Sequence, residues 1–317
     1  MAMNEKTGSV TDRREFLKRF SRTMAASVAA WAPNALGENA SVSLALPLPT
    51  LRLGKHRITR LVVGSNPISG YSYLGPIMDQ HMREYFTPER ITGFLWQCEQ
   101  EGITVHQCSK VEPMEPIVRS LRARGSRMQF ICLHAGGPER LAPKEVVKRI
   151  HPIAIVHHGG VTDRLFREGK SDQVRDFVKR VRDAGVLAGV SAHNPDCIKR
   201  IADEDWPVDL FMTCFYYLTR TPEEKKEMPP IVTEQIGYPF YCSDPVTMTE
   251  VVRQVKQPCL GFKILAGGRK CTKSKTVEAA FQFAFDHIKP SDGVIVGLYP
   301  RFQDQISDNA RYTRQYG

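Results

Sequence analysis

Nine histidines occur in this 317-residue chain, and five of them, His106, His134, His157, His158 and His193, fall at or beside the ends of short apolar runs. Imidazole titrates near neutrality, so such a set suits proton transfer and hydrogen bonding to a polar substrate. A lysine stands out in the same way: Lys263 interrupts Cys259-Leu-Gly-Phe-Lys-Ile-Leu-Ala266, an otherwise apolar stretch. An ammonium there must be paired or neutralised. It can form a Schiff base with a carbonyl, act as a base of lowered pKa, hold an anionic group, or pair structurally with an acid such as Asp244. On this reading Lys263, His157 and His193 are the catalytic candidates.

Other groups stand behind apolar runs of the same kind. Asn66, Gln107, His134 and Tyr216 are candidates for orienting a substrate, together with Asp244. Ala266-Gly-Gly-Arg-Lys270 and Gly297-Leu-Tyr-Pro-Arg301 present glycine amides and basic side chains, Arg269 and Arg301 among them, that suit a phosphate or another anion. His134, His158 and His193 lie on three successive runs and form an alternative set of ligands for a divalent metal. No acidic residue joins them and no His-x-His spacing occurs, so proton transfer is the leading reading and no metal site is assigned.

The elements that must position these groups alternate regularly. Apolar runs at 60–64, 103–108, 128–133, 153–156, 186–190, 208–212, 259–265 and 293–297 predict eight strands. Amphipathic stretches at 88–101, 113–124, 143–150, 171–184, 195–203, 244–256 and 274–287 predict the helices between most of them. Strands of four to seven nearly all-apolar residues are buried on both faces, and such strands separated by helices make a parallel sheet. Eight of them imply closure into a (β/α)8 TIM barrel, a single α/β domain over 51–317. A doubly wound open sheet is the runner-up, but Gly64-Ser-Asn-Pro-Ile-Ser-Gly70 takes the place of its Gly-x-Gly-x-x-Gly fingerprint. Two connections, 65–87 and 214–243, exceed ordinary turns and follow strands, so they belong to the rim where barrel sites are built. The second, with Tyr216, Tyr217, Met228-Pro-Pro230 and Tyr238-Pro-Phe-Tyr241, has the composition of a lid.

Ahead of the barrel, Arg13-Arg14 followed by Phe16-Leu-Lys18 and a short Ala-rich apolar run at 24–32 resembles the twin-arginine signal of bacterial export. Residues 1–37 read as that signal and 38–50 as a loosely packed linker. The run is too short to span a bilayer, so the processed chain is expected in the periplasm, without a membrane anchor, after handling by the twin-arginine machinery. The net charge is +10, and six Lys/Arg against three acids up to Gly37 account for +3 of it, leaving about +7. That excess is scattered over helix faces, which argues against nucleic acid as a partner and leaves a small molecule. The eight cysteines have neither Cys-x-x-Cys nor zinc-finger spacing and mostly fall in apolar runs, as buried thiols do.

Several segments resemble the aldo/keto reductase-like barrel superfamily. Leu53-Gly-Lys55 and Ile58-Thr-Arg-Leu-Val-Val-Gly64 look like its first hairpin and strand, and Glu101-Gly-Ile-Thr-Val-His-Gln-Cys108 like its second strand. Ile155-Val-His-His158, Arg167-Glu-Gly-Lys170 and Gly189-Val-Ser191 look like strands 4 and 5, so the likeness covers most of residues 51–300. It implies a nicotinamide cofactor and an Asp, Tyr, Lys and His tetrad. Position by position, the Asp is Gln107 here, the Lys falls near Leu133 or His134, the Tyr is missing, and the His is His157. Gly64–Gly70, Asp244-Pro245 and Phe262-Lys-Ile-Leu-Ala-Gly-Gly268 look like a divergent, exported branch of such barrels. The leading expectation is an exported barrel enzyme that acts by acid–base chemistry, of lyase, isomerase or hydrolase type, on a small polar carbonyl or sugar-like molecule. The alternatives are an NADP-dependent oxidoreductase with a rearranged tetrad and a non-catalytic exported binding protein.

Overall fold

The structure is a computed structural model that describes residues 46–137, 140–225 and 238–317. The signal-like segment 1–37, the first part of the 38–50 linker and the middle of the lid-like 214–243 connection lie outside the described residues. A hairpin opens the described part, β1 (Thr50–Leu53) and β2 (His56–Thr59), and it is followed by β3 (Leu61–Gly64), α1 (Pro76–Tyr85) and α2 (Pro88–Gln100). Then come β4 (Val105–Cys108), α3 (Val111–Ala123), β5 (Gln129–His134), α4 (Pro143–Ile150), β6 (Ala154–His157), α5 (Gly159–Arg167) and α6 (Ser171–Asp183). The chain continues through β7 (Leu187–Ala192), α7 (Pro195–Asp203), β8 (Leu210–Cys214), α8 (Asp244–Gln254), β9 (Cys259–Phe262), α9 (Ser274–His287), β10 (Gly293–Gly297) and α10 (Gln305–Tyr316).

Strands β3 to β10 close into a parallel barrel in chain order, with β10 returning to β3 through Val294↔Leu61 to Gly297↔Gly64. All eight apolar runs therefore form the strands expected of them. Side chains alternate across each strand, so Val62, Val105, Ile131, Val156, Leu210, Met212, Leu260 and Ile295 fill the interior. The β1–β2 hairpin plugs its N-terminal end with Leu51, Leu53 and Ile58. Side chains of the other parity pack under the helices, Phe130, Ile155, Val190 and Phe211 among them. The expected linker is partly built into this base. Leu48 is buried, Arg60 N donates to Pro49 O at 2.8 Å, and Thr50 already belongs to β1.

Closure is also pinned by charge at the N-terminal end of the barrel. Arg60 donates to the carbonyls of Asp292 and Lys289, and its guanidinium lies 4.8 Å from the Phe285 ring centroid. The Asp292 carboxylate, fully buried, accepts from Cys259 N and Lys289 N at 2.8 Å each and pairs with Lys289 Nζ at 2.9 Å. One acid thus ties the start of β9 to the turn before β10. Six of the eight cysteines are buried, all eight are free thiols, and Cys108 and Cys132 are register partners on β4 and β5. Among the described residues, no helix is long and apolar enough to cross a membrane.

Removing the buried acid while leaving its donors in place strands them without partners. Asp292→Ala is expected to lower unfolding stability by roughly 3–5 kcal/mol, read from urea denaturation; a loss below about 1 kcal/mol would show that closure does not depend on it.

Candidate functional site

At the C-terminal ends of β3, β4, β9 and β10 a cavity of about 430 Å³ opens to solvent, with Asn66, Tyr73, Gln107, Phe262, Lys263 and Gly297 in its lining. Its floor is the β3–β10 seam. Gly297 keeps that floor open, since a Cβ there would meet Pro67 Cδ at 2.7 Å. Three of the expected residues, Asn66, Gln107 and Lys263, share this cavity. Asn66 Nδ2 donates to the Tyr73 hydroxyl at 3.3 Å, leaving the phenolic proton free to point elsewhere, and Gln107 Nε2 is tied to Cys108 O at 2.9 Å.

Lys263 is positioned by an unusual backbone. The run 259–265 reads as one strand, but β9 stops at Phe262, because Lys263 takes φ 61° and Ala266 φ 51°, left-handed values for residues that carry a Cβ. The turn is closed by Ala266 N donating to Lys263 O at 2.8 Å. A left-handed non-glycine costs about 1–2 kcal/mol. Here the turn swings the ammonium to 4.4 Å from the Phe262 centroid and 5.0 Å from that of Tyr73. Two such contacts at a desolvated site are worth about as much as the strain. Among the described residues no carboxylate pairs with Lys263. Burial pulls its pKa down, but the Cys214 thiol and the Tyr73 phenol facing it outweigh this, and the net shift is upward. Lys263 is therefore a cation at neutral pH, suited to an anion or a polarised oxygen and unsuited to the roles of Schiff-base amine or lowered-pKa base.

The five histidines divide by strand parity. His158 follows Ala154 and Val156, and His193 follows Leu187, Gly189 and Ser191, so these two face inward at the rim. His193 Nδ1 meets Asp163 Oδ2 at 2.9 Å, and Asp163, almost fully buried, also accepts from His193 N, Asn194 N and Thr219 Oγ1. The carboxylate can only accept, so Nδ1–H donates to it, and Nε2 is left as the basic nitrogen. Burial, ahead of the opposing pull of Asp163, holds the His193 pKa below its ordinary value. Its ring lies 5.7 Å from Phe262, on which Lys263 also rests. His158 is pushed down to about 4, first by burial and then by His193 and Lys263, and its buried Nδ1 has no partner.

His106, His134 and His157 have the other parity. His157 Nδ1 contacts Thr162 Oγ1 at 2.8 Å and its ring packs 4.9 Å from Phe177 of α6. His134 stacks on the same Phe177 at 5.4 Å, and its two nitrogens are taken by Leu141 O and Gly136 N. Both line a second cavity, of about 790 Å³, between the barrel and the helices. His157 and His134 are thus not brought together with Lys263. The alternative metal set His134, His158 and His193 is split across the wall, and among the described residues no group of three or more potential ligands is assembled.

The remaining candidates lie around the site rather than in it. Tyr216 is fully buried against Phe240. Asp244 is engaged by Arg220 at 2.5 and 2.8 Å and by Tyr217 N at 3.0 Å, an anchor for the connection after β8. Arg269 packs 3.9 Å from the Phe240 centroid and Arg301 is exposed beside Tyr85. Of the two expected anion loops, Gly267, Gly268, Gly297 and Tyr299 reach the cavity, and the basic side chains Arg269, Lys270 and Arg301 do not line it. Two residues escaped sequence reasoning. Asp163 stands six residues past His157, in the first turns of a helix, which is a usable signal, whereas Tyr73 sits in a loop with no periodicity to mark it.

No protein-family model matches the chain, and no curated protein matches it in sequence. Solved structures do resemble it in fold. A protein of Pseudomonas aeruginosa provisionally described as an aldo-keto reductase superposes with a TM-score of 0.54 at 14% identity, covering 84% of this chain and 95% of that one. An aldo-keto reductase from Bacillus halodurans, in its holo form, gives 0.52 at 12% identity over 84% and 90%. The glycerol dehydrogenase of Gluconobacter oxydans gives 0.50 at 14% over the same shares. The fold is thus a TIM barrel, one that these aldo-keto reductases share. The tetrad implied by that likeness is not rebuilt here. Gln107 replaces its acid, Leu133 packs against the apolar interior, His134 turns outward, and His157, its one matching residue, faces the helix layer. These residues do not rebuild the tetrad by which a reductase uses its nicotinamide cofactor.

Buried neutral histidines set a pH limit. His106 and His158 are held down to about 4 and His157 to about 3, burial being the first cause in each. In the unfolded chain all three take up protons near pH 6.5, and the folded chain does not. Their contribution is complete above that pH and is lost as pH falls from 6.5 towards 4. A melting temperature that drops across this window, with a smaller drop in His157→Gln, is the expected outcome; a flat profile from pH 7 to 4.5 would refute the assignment.

Proposed function

We propose that the rim cavity is the active site of an enzyme that moves a proton at the carbon next to a carbonyl group. The observation that carries this reading is a pair of groups that both contact the Phe262 ring and whose pKa values are pushed apart: Lys263, in the cavity lining, upward, and His193, just outside that lining, downward. Such a pair divides the labour of acid–base chemistry at neutral pH. The carbonyl oxygen sits on the Lys263 ammonium, with the Tyr73 hydroxyl donating a second hydrogen bond and Asn66 holding that hydroxyl. His193 Nε2 takes the proton from the neighbouring carbon, and the C–H electron pair moves to the oxygen, whose growing negative charge the ammonium meets. Asp163 keeps the imidazole in the required tautomer and offsets the charge it acquires. Return of the proton to another atom completes an isomerisation; loss of a leaving group completes an elimination.

We further propose that the enzyme works outside the cytoplasm, carried by the 1–37 signal. Thiols left unpaired even at the Cys108–Cys132 register position suit a chain that folds in a reducing compartment before export. Changing Arg13 and Arg14 to Lys is expected to leave the uncleaved chain in the cytoplasmic fraction; unaltered periplasmic recovery would disprove this route.

Enolisation is read directly as deuterium exchange next to the carbonyl in ²H₂O, followed by proton NMR over a panel of aldehydes, ketones and 2-oxo acids. Lys263→Met is expected to slow the exchange of any accepted compound by about 10²–10³-fold, and His193→Gln by about 10²–10⁴-fold. His157→Gln should leave it unchanged. Exchange that survives in both Lys263→Met and His193→Gln, or depends instead on His157, would sink the proposal.

A further inference from the structure

The walls of the rim cavity are far more apolar than a sugar needs. Pro67, Leu74, Met78, Met82, Ile264 and Ile295 face it, and among the described residues Lys263 is the one formal charge in its lining. A sugar presents a hydroxyl on nearly every carbon, and those that met these walls instead of the polar part of the lining, Ser65, Asn66, Gln107 and Gln305 among it, would lose their water without a protein partner in return, at about 1–3 kcal/mol apiece. The apolar character continues out of the mouth. Leu74 and Tyr71 line the cavity while half exposed, Phe302 is 75% exposed beside them, and Ile77, on the adjoining helix α1, is 87% exposed. Tyr238, across the opening, shares a hydroxyl contact of 3.1 Å with Tyr71. Three of the large hydrophobic side chains that the described residues leave exposed, Tyr71, Leu74 and Phe302, therefore line this one opening. Apolar surface gathered at one opening marks a binding site.

We infer that the substrate is an amphiphile: one carbonyl or carboxylate head, seated on Lys263, and an apolar body that fills the cavity and leaves past Leu74 and Phe302. This rests on the proposed active site for the seat of the head, but the tail is argued independently from the walls. At about 30 Å³ per heavy atom, the 430 Å³ cavity holds at most about fourteen. That is a straight-chain acid of about ten to twelve carbons. The ligand is taken as a free monomer in solution, because the charged head belongs at the bottom of the cavity, away from the mouth.

Straight-chain carboxylates of six, eight, ten and twelve carbons, titrated calorimetrically into the whole protein below their micellar concentrations, test this. Each buried CH₂ is worth about 0.8 kcal/mol, so affinity is expected to rise about fourfold per carbon up to ten and to level off by twelve. Leu74→Ser and Phe302→Ser, exposed positions whose change spares the fold, should flatten the gain between eight and ten carbons and leave hexanoate unaffected. Lys263→Met should weaken the whole series by one common factor and keep its slope. A series without slope, or gluconate binding as tightly as octanoate, overturns the inference while leaving the deuterium-exchange reading intact. A normal slope that ignores Lys263→Met upholds the apolar tail and counts against the active-site assignment alone. Sedimentation of the protein with phosphatidylcholine vesicles, undiminished by decanoate, would assign the apolar mouth to a membrane surface and also overturn the inference.

Discussion

Closure of the sheet decides which of two neighbouring residues at the end of each strand can reach a substrate. Side chains alternate with a period of two, and a closed parallel barrel has no edge at which a strand can slip without turning its apolar set outward. Once Val294 is paired with Leu61 and Met212 with Leu260, the inner set is determined around the whole ring. His158 and His193 then face inward, and His134 and His157 are held under the helices against Phe177. Every statement about chemistry at this rim depends on that parity, and the Asp292 and Arg60 contacts at the opposite end help to hold it.

The fold was legible because its signal is redundant. Eight apolar runs and the helical stretches between them agree on one architecture, and an error of two residues at any boundary does not change it. The site is less tolerant, since its outcome turns on one residue. His157 and His158 are neighbours in a run buried on both faces, and apolar residues occupy both parities of β6. Composition therefore carries no mark of which face is inside, and likeness to the reductases points to His157, the neighbour that packs under the helices. Lys263 was legible for the opposite reason, as a charge in an apolar run. Its left-handed turn was not, because neither Lys263 nor Ala266 belongs to a residue type that favours φ near 60°.

Loops contribute the part of the site that periodicity cannot show. The connection after β3 is bound to itself, with Tyr71 N donating to Asn66 O at 2.8 Å and Ser72 bonded through both N and Oγ to Asp79 at 2.7 and 2.5 Å. That internal bonding fixes Tyr73 over Lys263. On the other side, Asp244 and Arg220 make an ion pair that holds the beginning of the long connection to the start of α8. Buried pairs of this kind add little net stability, but breaking one side costs several kcal/mol. Asp244 was expected to touch substrate, and its observed partners give it the more indirect task of holding the aromatic segment near Tyr216 and Tyr217.

Phe262 organises the chemistry although it has no polar atom. It ends β9 at the inner parity, packs against the interior apolar set, and offers its ring to Lys263 at 4.4 Å and to His193 at 5.7 Å. Two cations at this separation would repel in a site with little water, so only one can hold a proton easily. The ring favours the ammonium, which can rest on a π face, and burial keeps the imidazole neutral. Asp163 fixes the tautomer and pulls the histidine pKa upward, but by less than burial lowers it. A polar residue at position 262 would admit water between the two groups, raise the local dielectric, and remove the separation in pKa on which a division into acid and base depends.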